Sequence, residues 1–268
     1  MLDGRAARSA VIEFRESRSF VAISVRRRTC RTESLLHSRE ASLVTDTTTN
    51  RPSHPLILML VLTFSTGMID AVGYLGLDRV FTANMTGNIV ILGMALTGTA
   101  SLPVIGPLIA LLTFVAGAGL AGRLLRAARP GWSGLTTTSF TLTGGTVLLV
   151  GVACLAWHPV PGTPWGDVVT GTLGLAMGVQ AACARKLGVK DVTTVVITST
   201  ITGLAADAWF AGGSSENWGR RLLAVLLMLV GAAVGALLLH IDIAFGLLVA
   251  GAIVLSTTAI GHTRRHAS

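Results

Sequence analysis

The 268-residue chain is 51% hydrophobic and only 13% charged, with 31 glycines, few aromatics and a formal net charge of +8. A soluble domain of this length carries about a quarter charged residues, so this composition and a mean hydropathy of +0.69 exclude a soluble globular fold and indicate an integral membrane protein. The positive charge does not signal a nucleic-acid partner: ten of the 21 Lys and Arg are arginines within residues 1–51, and the others sit at the ends of apolar runs, where they set topology.

Residues 1–51 mix Arg with Glu and Ser and differ in kind from the rest of the chain. Their longest apolar stretch, Phe20–Val25, is broken by Ser24 and is too short for a signal-peptide core or a spanning helix. Arg26–Arg28 is followed by no apolar segment, which argues against a twin-arginine export signal. The region reads as a disordered, basic cytoplasmic tail. The other reading is a start-site artefact, with residues 1–43 outside the native protein and the true start near Val44.

Residues 52–262 form a single polytopic membrane domain, followed by a cytoplasmic tail at 263–268. Eight apolar segments follow one another: Leu56–Leu77, Thr82–Ala100, Val104–Gly122, Leu135–Trp157, Val168–Ala184, Thr193–Phe210, Leu222–Leu239 and Ile243–Ile260. A spanning helix needs about 20 residues with few charges. The first, third, fourth, seventh and eighth meet that length, and the fifth does so by extending to Arg185–Lys186. The second and sixth are loaded with Thr, Asn, Ser and Gly.

Internal similarity relates two halves, at about 56–157 and 166–260. Gly67-Met68-Ile69-Asp70-Ala71 aligns with Met177-Gly178-Val179-Gln180-Ala181, which sets Asp70 over Gln180. Met85-Thr86-Gly87-Asn88 aligns with Ile197-Thr198-Ser199-Thr200, and Leu111–Val115 with Leu226–Val230. If all eight segments span, the loop holding Arg123, Arg126 and Arg129 and the one holding Arg185, Lys186 and Lys190 face outward, against the positive-inside rule. If the second and sixth return to the side they left, every basic cluster is cytoplasmic and only Arg79 lies outside. The fold class expected is therefore an all-α integral membrane protein with six transmembrane helices plus two polar, re-entrant short helical segments, arranged as an inverted internal repeat. The alternative is seven or eight full transmembrane helices.

Polar groups at hydrocarbon depth need internal partners or a watery cavity. Asp70, Asn84, Thr86, Gly87 and Asn88 in the first half, and Gln180, Thr198, Ser199 and Thr200 in the second, are the candidate lining of a substrate path. Each has a structural reading beside the functional one. Asp70 could bond a loop, the asparagines could cap a half-helix, and the threonines, Thr194 among them, could bond their own backbone. Asp207 is expected to pair with the Arg220–Arg221 cluster. Gly174–Gly178 and Gly231–Gly235 are small-xxx-small pairs for close helix packing, within the chain or between copies. Cys30, Cys154 and Cys183 fit no metal spacing, and the last two read as buried hydrophobes. The six histidines lie in tails or linkers, and no nucleophile or phosphate-binding motif occurs. The expectation is no enzyme, no cofactor and no metal.

The Gly67–Ala71 run with Phe81–Asn88, and Leu175–Ala181 with Thr193–Thr198, resemble the YoaK-like family of bacterial membrane proteins over about residues 56–260. Asn84-Met85-Thr86-Gly87-Asn88 is the most specific element. In the second half, Ser199 stands where such families often have Gly. The resemblance implies a polytopic inner-membrane protein with a domain of unknown function, and supplies no substrate.

The leading functional expectation is a small transporter or channel for a solute or ion, in the plasma or inner membrane with both termini cytoplasmic. The alternative is a non-transporting scaffold or assembly subunit. The expected partners are the lipid bilayer, a small solute or ion and a second copy of the chain, and not nucleic acid. In a cysteine-free background, cysteines at positions 84 and 88 are expected to react with an impermeant thiol reagent from one side of the membrane, and those at 198 and 200 from the other. Labelling of both pairs from the same side removes the inverted arrangement.

Overall fold

Long uncharged runs in hydrocarbon leave the backbone no partner but itself, which favours helix. The computed structural model describes residues 54–98, 101–127, 131–188, 197–208 and 218–265, and every regular element among them is helical. The tail at 1–51, with Cys30, and the positions Thr193 and Thr194 lie outside the described residues. In chain order the elements are α1 (His54–Gly76), α2 (Met85–Leu96), α3 (Ile105–Leu124) with a closing 3-10 turn (Leu125–Ala127), α4 (Gly134–Ala156), α5 (Pro164–Leu187), α6 (Ile197–Ala206), α7 (Trp218–Leu239) and α8 (Ile243–Arg265).

Six of these, α1, α3, α4, α5, α7 and α8, are long and apolar enough to cross a membrane. At 1.5 Å per residue, the 12 residues of α2 and the 10 of α6 extend about 18 and 15 Å, well short of the roughly 30 Å hydrocarbon layer. Among the described residues six helices are long enough to cross, and α2 and α6 are not. Local chemistry sets the ends. Ser133 caps α4 by accepting from the Thr136 N–H, and Thr163 caps α5 by accepting from the Gly166 N–H, with Pro164 next in line. Gly188, left-handed at φ 61°, stops α5 just after Arg185 and Lys186.

Helix directions follow from where backbones touch. A Cβ on Gly231 would overlap the Phe64 carbonyl, and one on Gly235 would lie 2.6 Å from the Met68 carbonyl, so α7 runs parallel to α1. Likewise Gly174 meets Ala110 and Gly178 meets Phe114, so α5 runs parallel to α3. Gly76 beside Ile243 and Gly246 beside Val72 make α8 antiparallel to α1; Gly144 beside Leu255 and Gly151 beside Leu248 make it antiparallel to α4. The α4–α5 link is short and is tied by the Trp165 indole N–H donating to the Trp157 carbonyl at 2.8 Å, so α5 runs opposite to α4.

With the face where α1 begins named the first and that where it ends the second, both short helices can be located. Segment 77–104 leaves the second face and returns to it, because a Cβ on Gly106, at the start of α3, would lie 2.9 Å from Val80 and 3.3 Å from Asp78. At the first face α5 ends and α7 begins, and α6 is held there by Arg221 of α7, whose guanidinium lies over Gly203 and pairs with Asp207. The ion pair expected at Asp207 is present. Within the span windows, α1 is 78% buried and α7 only 17%, so α1 is central and α7 presents most of its surface to lipid.

Two of the helix pairs make like contacts. Contacts of α1 with α7 match those of α5 with α3 when Gly67 is set on Gly178 and Gly117 on Gly231: Gly67 meets Met228 and Ala232, Gly178 meets Phe114 and Ala118, Gly231 meets Phe64 and Gly117 meets Leu175. On those contacts Asp70 stands level with Ala181, one residue past Gln180. Both glycine pairs picked out in the sequence work within one chain.

Gly117→Ala and Gly231→Ala are each expected to destabilise the fold by about 1–3 kcal/mol, since the added methyl meets backbone that cannot give way. Gly93→Ala, with nothing near its added methyl, is expected to leave stability unchanged or to raise it by up to about 1 kcal/mol. Thermal unfolding in one detergent checks all three.

Candidate functional site

The site is built in three parts, beginning where α1 receives the polar loop. Asp70 is buried, and its Oδ1 accepts from the Thr82 N–H at 2.9 Å, the Ala83 N–H at 2.7 Å and the Thr82 hydroxyl at 3.2 Å. One turn into α2, Asn88 closes on the same loop: its Oδ1 accepts from the Phe81 N–H at 2.9 Å and its Nδ2 donates to the Phe81 carbonyl at 2.6 Å. Asn84 caps α2 by accepting from the Gly87 N–H at 3.4 Å. The Phe81 ring stacks on Tyr74 with centroids 4.8 Å apart and covers Gly87, where a Cβ would lie 2.6 Å from the ring.

Gly73, not singled out in the sequence, and Arg79, noted there only for its charge, make this cradle fit. Gly73 lets the Val80 carbonyl lie against α1, since a Cβ there would be 2.7 Å away. Arg79 takes a left-handed conformation at φ 49°, turning the chain between α1 and the loop. At this rim the Asp78 carboxyl is pushed above the usual carboxylate range, first by burial and then by Asp167, with Arg79 opposing. The structure thus divides the expected path residues of the first half: Asp70 and Asn88 are buried holders, whereas Asn84 and Thr86 form an exposed tip.

The second part lies between two apolar clusters. One gathers Met68, Val72, Val147, Leu173 and Leu247; the other gathers Leu56, Met59, Leu62, Phe140, Cys183 and Val254. On α1, Thr63, Ser65 and Thr66 occupy the gap between them; on α4 it is Thr143, and on α5 Gln180. Gln180 Nε2 donates to Thr66 Oγ1 at 3.0 Å, Thr66 Oγ1 donates to the Leu62 carbonyl at 2.8 Å, and Thr143 Oγ1 reaches the Ala176 carbonyl at 3.3 Å. Gln180 Oε1 is buried with no protein partner, alone in this among buried side-chain polar atoms of the described residues. An orphaned acceptor costs about 1–3 kcal/mol. Thr66 and Thr143 were not singled out from sequence; Thr66 stands one helical turn before Asp70, which was the available signal.

The third part is α6, at the opposite face from α2. Thr200 is buried while Thr198 and Ser199 are exposed, and the Thr202 hydroxyl donates to the Thr198 carbonyl at 2.9 Å. Thr200 is the buried polar residue of α6, as Asn88 is of α2.

Residues 58–260 match the model of a family described as "Protein of unknown function (DUF1275)". The chain is also 32% identical over 192 residues to the UPF0700 transmembrane protein YoaK of Bacillus subtilis (strain 168), covering 67% of this chain and 82% of that protein. No solved structure matches.

Asp70→Ala removes the acceptor shared by three donors and is expected to cost about 3 kcal/mol; Asn88→Ala, which strands both backbone groups of Phe81, about 1–3 kcal/mol. Because both hold one loop, the double variant is expected to lose less than the sum, by about 0.5–3 kcal/mol. A double-mutant cycle on thermal unfolding measures this.

Proposed function

We propose, from the premise that this chain belongs to the DUF1275 family of multi-pass membrane proteins, that it carries a small solute or ion across the bilayer as a transporter or channel. The observation that carries the reading is the polar layer of Thr66, Thr143 and Gln180 midway between two apolar clusters. Packing alone would be served more cheaply by apolar side chains at that depth. Two features support it. The matching contacts of α1–α7 and α5–α3 fit an inverted repeat of two halves, and the short helices α2 and α6 attach at opposite faces, so a polar tip dips in from each side.

Charge supports an orientation. Arg123, Arg126, Arg185, Lys186, Arg220, Arg221 and Arg264 all stand at helix ends of the first face, with Arg79 at the second. By the positive-inside rule the first face is cytoplasmic, with both termini, and the membrane is the cell's inner or plasma membrane. Asp70 and Asn88, each engaged with backbone, favour a second reading in which the chain is a non-transporting scaffold or assembly subunit.

Proteoliposomes offered a panel of ions and small solutes separate the two. The transport reading expects flux above empty vesicles for one class, falling at least about tenfold in Thr66→Val, a loss of about 1.4 kcal/mol in transition-state terms, at equal folded yield. Absence of flux across the panel, with variants changing only yield, supports the scaffold.

A further inference from the structure

We infer that the polar layer is a binding site for a small monovalent cation, with Gln180 Oε1 as its central acceptor, and that it rejects anions. The direction of each hydrogen bond carries this. Thr66 has one hydroxyl hydrogen, given to the Leu62 carbonyl at 2.8 Å, and Gln180 meets Thr66 Oγ1 with its Nε2–H at 3.0 Å. In this network Oε1 is the atom left open.

No donor among the described residues lies within hydrogen-bond reach of that oxygen. The buried hydroxyls of Thr63, Ser65 and Thr66 each give their hydrogen to a carbonyl of α1, and that of Thr143 is shared between the Ser139 carbonyl of α4 and the Ala176 carbonyl of α5, leaving lone pairs as the polar surface they present. Among the described residues the only buried charged side chain is Asp70, one helical turn from Thr66, and no Lys, Arg or His is buried. An interior made of lone pairs and one carboxyl attracts positive charge or N–H donors and repels anions. No three His, Cys, Asp or Glu gather among the described residues, so the set matches a monovalent ion better than a divalent one. Ammonium fits best, since it brings N–H groups to an acceptor that lacks a donor.

The occupant's movement rests on the transport reading; its binding does not. The full chain, purified in detergent, is unfolded thermally at constant ionic strength in ammonium, methylammonium, sodium or choline chloride. A second series uses sodium salts of different anions. The expected result is a rise in Tm with ammonium relative to choline, no dependence on the anion, and loss of the rise in Gln180→Leu. Gln180→Glu, which keeps the shape and adds negative charge, is expected to retain or enlarge it, and serves in place of the leucine variant where that one does not fold. A shift that follows the anion, persists in Gln180→Leu or is reduced in Gln180→Glu overturns the inference. So does no ammonium effect in the unaltered protein, which leaves water alone to meet Oε1. Flux assays keep the two readings apart: ammonium binding without flux keeps this site and removes transport, whereas anion flux untouched by Gln180→Leu keeps transport and removes the site.

Discussion

Backbone-to-backbone contact at glycine is the constraint on which the rest of this structure depends. Lipid is as apolar as leucine, so no hydrophobic force drives one spanning helix onto another, and close packing must come from van der Waals contact. Gly67, Gly231 and Gly235 bring α1 onto α7, and Gly117, Gly174 and Gly178 bring α3 onto α5. At five of these positions a Cβ would run into facing backbone, and at Gly174 it would first meet the Thr113 hydroxyl. That rigidity sets the register within each pair. Thr66 of α1 and Gln180 of α5 belong to different pairs and meet across them at 3.0 Å.

Polar side chains inside the bundle then divide by how completely they are satisfied. Asp70 and Asn88 are occupied by the 81–83 backbone, and through them a loop that would otherwise expose N–H groups to hydrocarbon is tied to α1. Gln180 is only half satisfied. The same chemistry, amide and carboxyl oxygens at depth, thus serves the architecture at one place and leaves an opening at another. The family match over residues 58–260 takes in most of α1 and all of the remaining spans except the end of α8, so whatever the family does is done with this bundle.

Much of the architecture was legible in one dimension. Six spans and two short polar helices follow from run length, composition and the sign of the loops. The burial of Cys154 and Cys183 and the Asp207–Arg221 pair follow from residue type and position, whereas the caps at Ser133 and Thr163 and the stop at Gly188 were not singled out. The candidate site was legible as a set of polar residues but not as an arrangement. Asn84 and Thr86 read the same as Asn88, yet two are exposed and one is buried.

What the sequence by itself determined is the number of crossings, because transfer to hydrocarbon is a sum over residues and a sum needs no partner. What only the tertiary structure decided is the Gln180–Thr66 bond and the orphaned oxygen beside it. Those depend on which faces two helices far apart in the chain turn to each other and how near they come, and such pairings are not additive along the chain.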